Sequence, residues 1–334
     1  MVATAAVQPK EMMRALVQEG YGSADALRLR EIERPTLAEG RVLVRVRAAS
    51  VNALDWHTVH GGPMIRAVSK LMRQKEEPVR GVDVAGVVEA VGPNVTRFAP
   101  GDEVFGGAPA AFAEYALARE QGLAPKPRNA SFEQAAAVGV AGRTALQGLR
   151  DHAQVKPGQR VLVNGAGGGV GTFAVQIAKT LGAHVTAVTG ARNVELVRSL
   201  GPDEVIDYSK ADFTRGGVRY DAVVDVAANR SLSDLLRVVA PNGILVLVGA
   251  DKRGGMAIFG RIGSAFVRSR VLKQRIVFYV AKPSLDDLVV LKEMIEEGKV
   301  CPAIDRSYPF SEAVEAVRYL GTGQARAKVV IVMD

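Results

Sequence analysis

The stretch Val161-Leu-Val-Asn-Gly-Ala-Gly-Gly-Gly-Val-Gly171 decides the fold class of this chain. A strand-forming run leads directly into a glycine-rich turn, and a helical pattern begins near Val170. Because glycine has no Cβ, the backbone N–H groups of such a turn and the helix N-terminus can approach an anion closely. The stretch therefore indicates a turn that binds the pyrophosphate of a dinucleotide, with Ala166, Gly168 and Gly171 in the three positions of the glycine pattern.

Downstream of this turn, apolar strands alternate with helical patterns, which is typical of a parallel, doubly wound α/β sheet. Six strands are predicted, at Arg160–Asn164, His184–Thr189, Glu204–Asp207, Asp221–Val226, Gly243–Gly249 and Arg275–Val280. Helices are predicted between them, among them Val170–Leu181, Asn193–Leu200 and Leu232–Val239. Since crossovers between parallel strands are right-handed, the expected strand order is 3-2-1-4-5-6.

The first part of the chain has a different pattern, with short strand-like runs between Gly, Pro and polar residues. These runs are Met13–Glu19, Leu27–Ile32, Arg41–Ala49, Gly81–Val91, Asp102–Phe105 and Phe112–Leu117. They predict a small antiparallel barrel or sandwich. Near the end of the chain, helices are predicted at Leu285–Glu297 and Glu312–Leu320. A last strand at Lys328–Met333 is expected to complete this β domain.

The overall composition is that of a globular protein. Hydrophobic residues make up 48% of the 334 residues and charged residues 23%. The net charge of +8 is spread along the chain, and the densest basic groups, 66–75 and 252–275, are diluted by apolar residues. With aromatic residues at 5% and no interleaving of basic and aromatic side chains, the composition disfavours a nucleic-acid surface.

The cysteine count and the hydropathy suggest the compartment. Cys301 is the single cysteine, so no disulfide can form within the chain, which fits a reducing compartment. Residues 1–10 lack the pattern of a secretory signal, and no apolar run approaches the roughly 20 residues that span a bilayer. We expect a cytoplasmic protein with a short N-terminal extension.

The end of the second strand indicates which dinucleotide is preferred. NAD-binding sheets place an acidic residue there, about 20 residues after the glycine pattern, to bind the ribose 2′-hydroxyl. This chain has Val188-Thr-Gly-Ala-Arg-Asn193 instead, with no carboxylate and with Arg192 available for a 2′-phosphate. The pattern favours NADPH, although Arg192 could also be a surface residue of the next helix.

Candidate metal ligands are scarce. A catalytic zinc ion needs three protein ligands, and the chain has one Cys and four His residues. His57 and His60 are close enough to share a helix face, but no third ligand is evident beside them. We therefore expect no metal site, with these two residues lining or flanking a cleft.

Several motifs together resemble a known family. They are Ala48–Trp56 (AASVNALDW), Gly81–Gly92 (GVDVAGVVEAVG), Pro100–Val104 (PGDEV), Val140–Ala145 (VAGRTA) and the glycine-rich turn. With these motifs, nearly all of 13–334 resembles the medium-chain dehydrogenases/reductases, in their zinc-independent, quinone oxidoreductase-like branch. Zinc-dependent relatives place a Cys close to Asn52 and a Gly-His-Glu where this chain has Gly81-Val-Asp83, so both replacements remove metal ligands.

The resemblance implies a six-stranded Rossmann domain and a GroES-like β-barrel catalytic domain with a cleft between them. The corresponding division is 1–135 for the catalytic domain, 136–280 for the NADP-binding domain and 281–334 for a segment returning to the catalytic domain. It also implies an NADPH-dependent reductase of quinones or of activated double bonds (enones, enals) that often works as a homodimer.

Candidate site residues follow from the same resemblance and from the strand ends. Asn52 is expected to polarise the substrate or the nicotinamide through its amide, although Asn is also common in turns. His57 replaces a tyrosine found in relatives, and it is either a proton donor or part of the cleft wall. The expected cofactor-binding residues are Asn52, Thr144, Gly168, Gly169, Val170, Thr189, Arg192, Tyr208, Gly249, Val280 and Lys328. The expected pocket rim is Trp56, Met64, Ile65 and 67–77.

Two other functions remain open from the sequence. A zinc-free, NADP-dependent alcohol dehydrogenase or carbonyl reductase would share the fold, but the chain lacks an evident Lewis acid for that reaction. A protein that binds NADPH and uses its basic surface for RNA is the other, and a mobility-shift assay at physiological salt would test it.

Overall fold

The computed structural model describes residues 11–62, 78–248 and 273–333. Its strands there are β1 (Met12–Gln18), β2 (Leu27–Glu33), β3 (Arg41–Val51), β4 (Asp83–Val91), β5 (Glu103–Gly107), β6 (Tyr115–Arg119), β7 (Leu123–Pro125), β8 (Arg160–Asn164), β9 (His184–Thr189), β10 (Glu204–Asp207), β11 (Tyr220–Asp225), β12 (Val239–Leu247), β13 (Arg275–Phe278), β14 (Ile304–Pro309) and β15 (Lys328–Val332).

The α-helices of the same residues are α1 (Ala53–His60), α2 (Phe132–Ala136), α3 (Gly139–Gln147), α4 (Gly169–Thr180), α5 (Val194–Ser199), α6 (Leu232–Val238), α7 (Leu285–Glu296) and α8 (Ala313–Gly321). A π-helical turn, Gly148–Ala153, continues α3. No helix in the described part of the chain is long and apolar enough to cross a membrane.

A parallel sheet of six strands forms the dinucleotide-binding fold within the described residues. Its order is β10-β9-β8-β11-β12-β13, which is the predicted order 3-2-1-4-5-6. The helix α4 packs onto this sheet through Phe173 and Ile177, which share a buried apolar cluster with Val161 and Val163 of β8. Burial of these side chains removes apolar surface from water and holds the helix N-terminus at the carboxyl edge of the sheet.

The two halves of the parallel sheet meet between β8 and β11, where the direction of the crossovers reverses. At this edge the last residue of β8, Asn164, pairs with Asp225 of β11 and with Val188 of β9. Ligands of open α/β sheets bind in the crevice at such a switch point. The register therefore places the glycine-rich turn, which follows Asn164, over that crevice.

The second large sheet has the order β14-β15-β3-β4-β5-β7, with β6 on β3. Its pairings do not close into a complete barrel within the described residues. Strands β1 and β2 form their own antiparallel ladder, which joins the rest through bridges from Ala15 to Ala113 and from Val17 to Val79.

The last strand, β15, lies inside the second sheet, between β14 and β3. Its residues pair antiparallel with β3, from Val329 opposite Val51 to Val332 opposite Ala48. The end of the chain thus returns to the sheet formed by its first part. The domain boundaries after residues 135 and 280 stay a prediction.

Some elements differ from the sequence expectation. Strand β14 was not predicted, because its sequence IDRSYP has no apolar alternation and it lies at the exposed edge of the sheet. Strand β12 begins at Val239, four residues before the predicted start at Gly243, although parallel pairing with β11 over consecutive residues starts at Ile244. The helices α2 and α3 were also missed, since their buried faces consist largely of Ala and Gly.

Candidate active site

The glycine-rich turn has the geometry of a phosphate-binding turn. Gly168 is the N-cap of α4, and the first N–H groups of a helix have no acceptor within the helix. A Cβ at Gly171 would lie 2.1 Å from the carbonyl oxygen of Gly165, so only glycine permits this close turn. The sequence-predicted Gly168, Gly169 and Val170 therefore stand together at a helix N-terminus that favours an anion.

The neighbours of Gly167 fit a dinucleotide in this crevice. A Cβ at Gly167 would lie 2.6 Å from Nδ2 of Asn193 and 2.7 Å from Oγ1 of Thr189. The Oδ1 atom of Asn193 is buried and accepts no hydrogen bond from the described residues. A buried acceptor without a donor is costly, and a ligand hydroxyl would satisfy it.

A second such acceptor lies at the switch point. The Nδ2 group of Asn164 donates to Oδ1 of Asp225 at 2.8 Å and to Oδ1 of Asn229 at 2.9 Å. Its own Oδ1 is buried with no hydrogen-bond partner in the described ranges. Two acceptors in need of donors thus flank the glycine-rich turn.

Two arginines come together at the end of β9. Nη1 of Arg326 donates to the backbone carbonyl of Arg192 at 3.4 Å, and both residues are exposed. Among the described residues the Arg192 guanidinium has no ion-pair partner. Tyr208 lies next to them, because a Cβ at Gly190 would be 2.9 Å from its phenol oxygen. This edge of the sheet thus carries two arginines and a phenol close together.

The segment that precedes β15 docks on the glycine-rich turn. The N–H of Ala327 donates to the carbonyl of Gly167 at 2.8 Å, and Ala327 forms a parallel bridge with Gly168. The side-chain stem of Lys328 packs against the same turn, since a Cβ at Gly169 would lie 3.0 Å from its Cδ. Backbone contacts therefore join the glycine-rich turn to the second sheet.

Lys328 reaches from the turn to Asn52. Its Nζ donates to Oδ1 of Asn52 at 2.6 Å and lies 3.8 Å from Oδ2 of Asp83. Lys328 is 3% exposed, Asn52 6% and Asp83 0%, so both charges are buried. Burial lowers the pKa of Lys328, and the charges of Asp83 and Asp55 oppose that shift.

Asp83 is the buried anion of this site. Its Oδ2 accepts hydrogen bonds from Oγ of Ser50 at 3.0 Å and from Nδ2 of Asn52 at 2.9 Å. Its Oδ1 accepts the N–H of Val140 at 2.8 Å, at the start of α3, where a negative charge is favourable. The carboxylate is thus fully hydrogen-bonded, as a buried charge must be.

Both the oxygen and the nitrogen of the Asn52 amide already have hydrogen-bond partners. Besides Asp83, its Nδ2 donates to the carbonyl of Ser50, at 3.3 Å. Donation to a substrate would require release of the longer of these two bonds, which is the weaker one.

His57 lies on α1, five residues after the N-cap Asn52, and is half-buried. Burial lowers the pKa of His57, and the nearby His60 lowers it further. The imidazole is therefore mostly neutral near pH 7, and it has no hydrogen-bond partner within the described residues. His57 is therefore not part of the hydrogen-bonded group of Ser50, Asn52, Asp55, Asp83 and Lys328, which we call the Asn52 cluster.

The chain matches two families along its length. Residues 38–128 match the alcohol dehydrogenase GroES-like domain, and residues 200–331 match the family described as zinc-binding dehydrogenase. The quinone oxidoreductase QR1 of Triphysaria versicolor is 33% identical, over 96% of this chain and 98% of that protein. The chain is a medium-chain dehydrogenase/reductase.

Other relatives of this dehydrogenase/reductase support the same family assignment. The NADPH-dependent alkenal/one oxidoreductase of Arabidopsis thaliana is 34% identical, over 97% of this chain and 80% of that one. The solved quinone oxidoreductase of Coxiella burnetii superposes with a TM-score of 0.86 at 29% identity, over 97% of this chain and all of that one. These findings confirm the resemblance to the quinone oxidoreductase-like branch, and the protein is an oxidoreductase.

Thr144, Val280 and Gly249 are further predicted site residues of this medium-chain reductase. Thr144 is on α3, where its Oγ1 donates to the carbonyl of Val140 at 2.6 Å and its own carbonyl accepts the hydroxyl of Tyr279. Val280 follows β13 and is 77% exposed. Gly249 falls outside the described residues, so its placement stays a prediction.

The expected pocket rim is partly described. Trp56 stacks on His60 with ring centroids 6.1 Å apart and packs against Gly321 at the end of α8. Trp56 thus packs α1 against α8. Met64, Ile65 and 67–77 lie outside the described residues. Within the described residues, no three His, Cys, Asp or Glu side chains come together as a metal site would need.

Sequence reasoning missed several residues of this site. Asp83 was noted only as a replaced metal ligand, whereas it is the anion that faces Asn52 and Lys328. Arg326 and Asn193 were not singled out, although both stand next to predicted residues in sequence. The signal that could have found Arg326 is a second basic residue in Gln324-Ala-Arg-Ala-Lys328.

Proposed function

We propose that this protein is an NADPH-dependent, zinc-free reductase that transfers hydride to quinones or to the activated double bonds of enones and enals. The observation that carries the proposal is the junction of the cofactor turn with Asn52. Ala327 bonds to the glycine-rich turn, and the adjacent Lys328 bonds to the Asn52 amide. This junction brings a polar group next to the place where a dinucleotide would end.

The acceptor class follows from what the site offers to a carbonyl oxygen. Reduction of an enone or quinone puts negative charge on an oxygen conjugated to the carbon that is reduced. A neutral amide donor such as Asn52 would stabilise that charge. The relatives named as quinone oxidoreductase and as alkenal/one oxidoreductase support the same acceptor class.

NADPH is proposed as the cofactor because the end of β9 carries cations and no acid. Arg192 and Arg326 would pair with the 2′-phosphate, while Thr189, Tyr208 and the N-terminus of α4 would hold the remainder of the nucleotide. We also propose that Thr144, Gly249 and Val280 contact the bound NADPH. When bound, NADPH supplies the hydride.

The roles of the other groups follow from their surroundings. The Asn52 amide would exchange its long bond to the Ser50 carbonyl for the acceptor oxygen. His57 would form part of the cleft wall, since burial lowers its pKa, and water would supply the proton to the reduced acceptor. A metal ion is not part of the proposal, because Asn52 and Asp83 bond to each other and to Lys328.

One experiment tests the function. NADPH oxidation should be measured with purified protein against a panel of quinones, enals, enones and simple ketones. We expect turnover with quinones or with conjugated carbonyls and little with simple ketones. Preferential turnover of simple ketones or alcohols would reject the proposal in favour of a carbonyl reductase.

We further propose a homodimer in the cytoplasm. The edge strand β13, with Phe278 37% exposed, offers an apolar edge to a second copy. Sedimentation at micromolar concentration would give twice the 35.4 kDa chain mass if this is right, and the single-chain mass if it is wrong.

Because some named relatives are chloroplastic, imaging of the tagged protein in its own cells is the test of the proposed cytoplasmic location.

A further inference from the structure

The ammonium of Lys328 points toward Asn52. Its ammonium faces three oxygens: Oδ1 of Asn52 at 2.6 Å, the carbonyl of Val51 at 3.4 Å and Oδ2 of Asp83 at 3.8 Å. An ammonium has three donors and no acceptor. The ammonium is therefore directed into the second sheet, with hydrogen bonds to Asn52 and Val51 and an ion pair with Asp83, while its aliphatic stem packs against the glycine-rich turn.

The same contacts determine which way the Asn52 amide points. Because Lys328 can only donate, it must face the amide oxygen, and because an ionised Asp83 can only accept, it must face the amide nitrogen. The two charges thus hold the carboxamide in one of its two orientations. A cation at the oxygen also draws electron density from the nitrogen, so the N–H groups become stronger donors.

We propose that Lys328 is a positioning residue, which orients and polarises the Asn52 amide and acts on the reaction through that amide. This assignment revises the sequence expectation for Lys328, and it rests on the proposed function of Asn52. The residue is placed for this role by the segment on which it sits. Ala327 holds the cofactor turn through its backbone, and Lys328 holds Asn52 through its side chain.

Two other roles for Lys328 predict different results. As a direct ligand of the cofactor phosphates, it would contribute to NADPH affinity whether or not Asn52 is present. As a purely structural cation, it would affect the melting temperature while leaving turnover of the folded protein unchanged. A positioning role acts on turnover and needs Asn52.

A double-mutant cycle separates these roles. Lys328→Met keeps the stem and removes the charge, and it is combined with Asn52→Ala. We expect Lys328→Met to lower kcat for a good acceptor by about 10-fold to 100-fold, as for loss of a transition-state contact, with the Kd for NADPH changed less than about 3-fold. In the Asn52→Ala background the same substitution should lower kcat no further. The proposal would be overturned if the kcat losses of the two single variants multiplied in the double variant. It would also be overturned if Lys328→Met raised the Kd for NADPH by about 10-fold in both backgrounds.

Controls keep this test independent of folding. Lys299→Met removes an exposed lysine that pairs with Glu297, and should leave kcat and Kd unchanged. If Lys328→Met does not fold, Lys328→Gln retains a neutral donor and should give an intermediate kcat. A kcat equal to that of the unmodified protein in folded Lys328→Gln or Lys328→Met would contradict the assignment.

A spectroscopic readout distinguishes failure of this proposal from failure of the proposed function. The side-chain amide signals of Asn52 can be assigned in a ¹⁵N spectrum by their loss in Asn52→Ala. Without cofactor or acceptor, these signals should shift in Lys328→Met, or in Lys328→Gln if that is the folded variant, and stay in place in Lys299→Met. Unchanged signals in the folded Lys328 variant would overturn the positioning role, whatever reaction the enzyme catalyses.

Discussion

The backbone N–H of Asn52 donates a 2.8 Å hydrogen bond to Oδ2 of Asp55, and both residues are buried. Burial raises the pKa of Asp55 to about 7, and the negative charge of Asp83 adds to the rise. The hydrogen bond from Asn52 and the charge of Lys328 act in the opposite direction. A carboxyl group of the Asn52 cluster thus titrates near neutral pH, close to the proposed reaction centre.

This titration should appear in the stability of the protein. Because the pKa of Asp55 is higher in the folded chain than its ordinary value of 3.8, the folded state binds the proton more tightly. The contribution of Asp55 to stability is therefore complete below about pH 4 and is lost as the pH rises to about 7, with a slope of at most about 1.4 kcal/mol per pH unit. Asp55→Asn should remove this slope from urea-unfolding free energies measured between pH 4 and 8.

The matched control is Asp286→Asn, an exposed residue in the first turn of α7. It should retain the slope of the unmodified protein between pH 4 and 8. The same slope in Asp55→Asn would show that Asp55 does not titrate in this window.

Substitution of Asn52 should act mainly on turnover. If its amide stabilises charge on the acceptor oxygen, Asn52→Ala should lower kcat by about 10-fold to 1000-fold while the Kd for NADPH changes little. Asn52→Asp should be at least as damaging, because a carboxylate repels the developing charge. Steady-state kinetics with a good quinone and a fluorescence titration of NADPH measure both quantities. If Asn52→Ala turns over the quinone at the unmodified rate, the catalytic assignment fails.

His57 provides a contrast with Asn52 on the same helix. Because burial lowers its pKa, the imidazole carries little charge near neutral pH, and we expect His57→Ala to raise KM by about 2-fold to 5-fold and to leave kcat nearly unchanged. A pH profile of kcat/KM makes the distinction. A loss of turnover of about 100-fold together with a flattened alkaline limb would instead identify His57 as the proton donor.

Cofactor preference should depend on the two arginines at the end of β9. NADPH should bind more tightly than NADH, and Arg192→Ala and Arg326→Ala should each weaken NADPH binding by about 10-fold, as expected for a charged hydrogen bond to phosphate. Binding of NADH should hardly change. Arg237→Ala, which removes an exposed arginine paired with Asp234, is the control. Equal affinities for the two cofactors in the unmodified protein would refute this part of the proposal.

Activity should survive prolonged chelation. Asn52 and Asp83 engage each other and Lys328, and within the described residues no three His, Cys, Asp or Glu side chains are grouped as a metal ion would need. Elemental analysis of the purified protein should find no stoichiometric zinc. Loss of activity in chelator, followed by recovery when zinc is added, would contradict this prediction.

The sequence predicted the parallel sheet well because its signals are local. A strand, a glycine-rich turn and a helix follow one another within 160–180, so their order along the chain specifies the structure. The strand order follows from the handedness of the crossovers. Strand β14 was missed for the opposite reason, since its pairing with β15 supplies what its own sequence pattern lacks.

The Asn52 cluster was less predictable. Asn52 and Lys328 were both proposed from motifs, but the motifs carry no information that the two side chains meet. Their contact joins residues 276 positions apart and depends on where β15 enters the sheet. The role of Asp83 was not predictable for a similar reason. Comparison of Gly81-Val-Asp83 with zinc-dependent relatives shows that a metal ligand is missing, but not that Asp83 instead bonds to Asn52 and faces Lys328.

The position of β15 has a consequence for how the protein is made. Synthesis proceeds from the N-terminus, so Asn52 and Asp83 leave the ribosome long before Lys328 does. Until β15 inserts between β14 and β3, the carboxylate of Asp83 has no ammonium beside it and the glycine-rich turn lacks its bond to Ala327. The nascent chain therefore cannot form the contact between Asn52 and Lys328 until 327–332 have been translated and paired with β3.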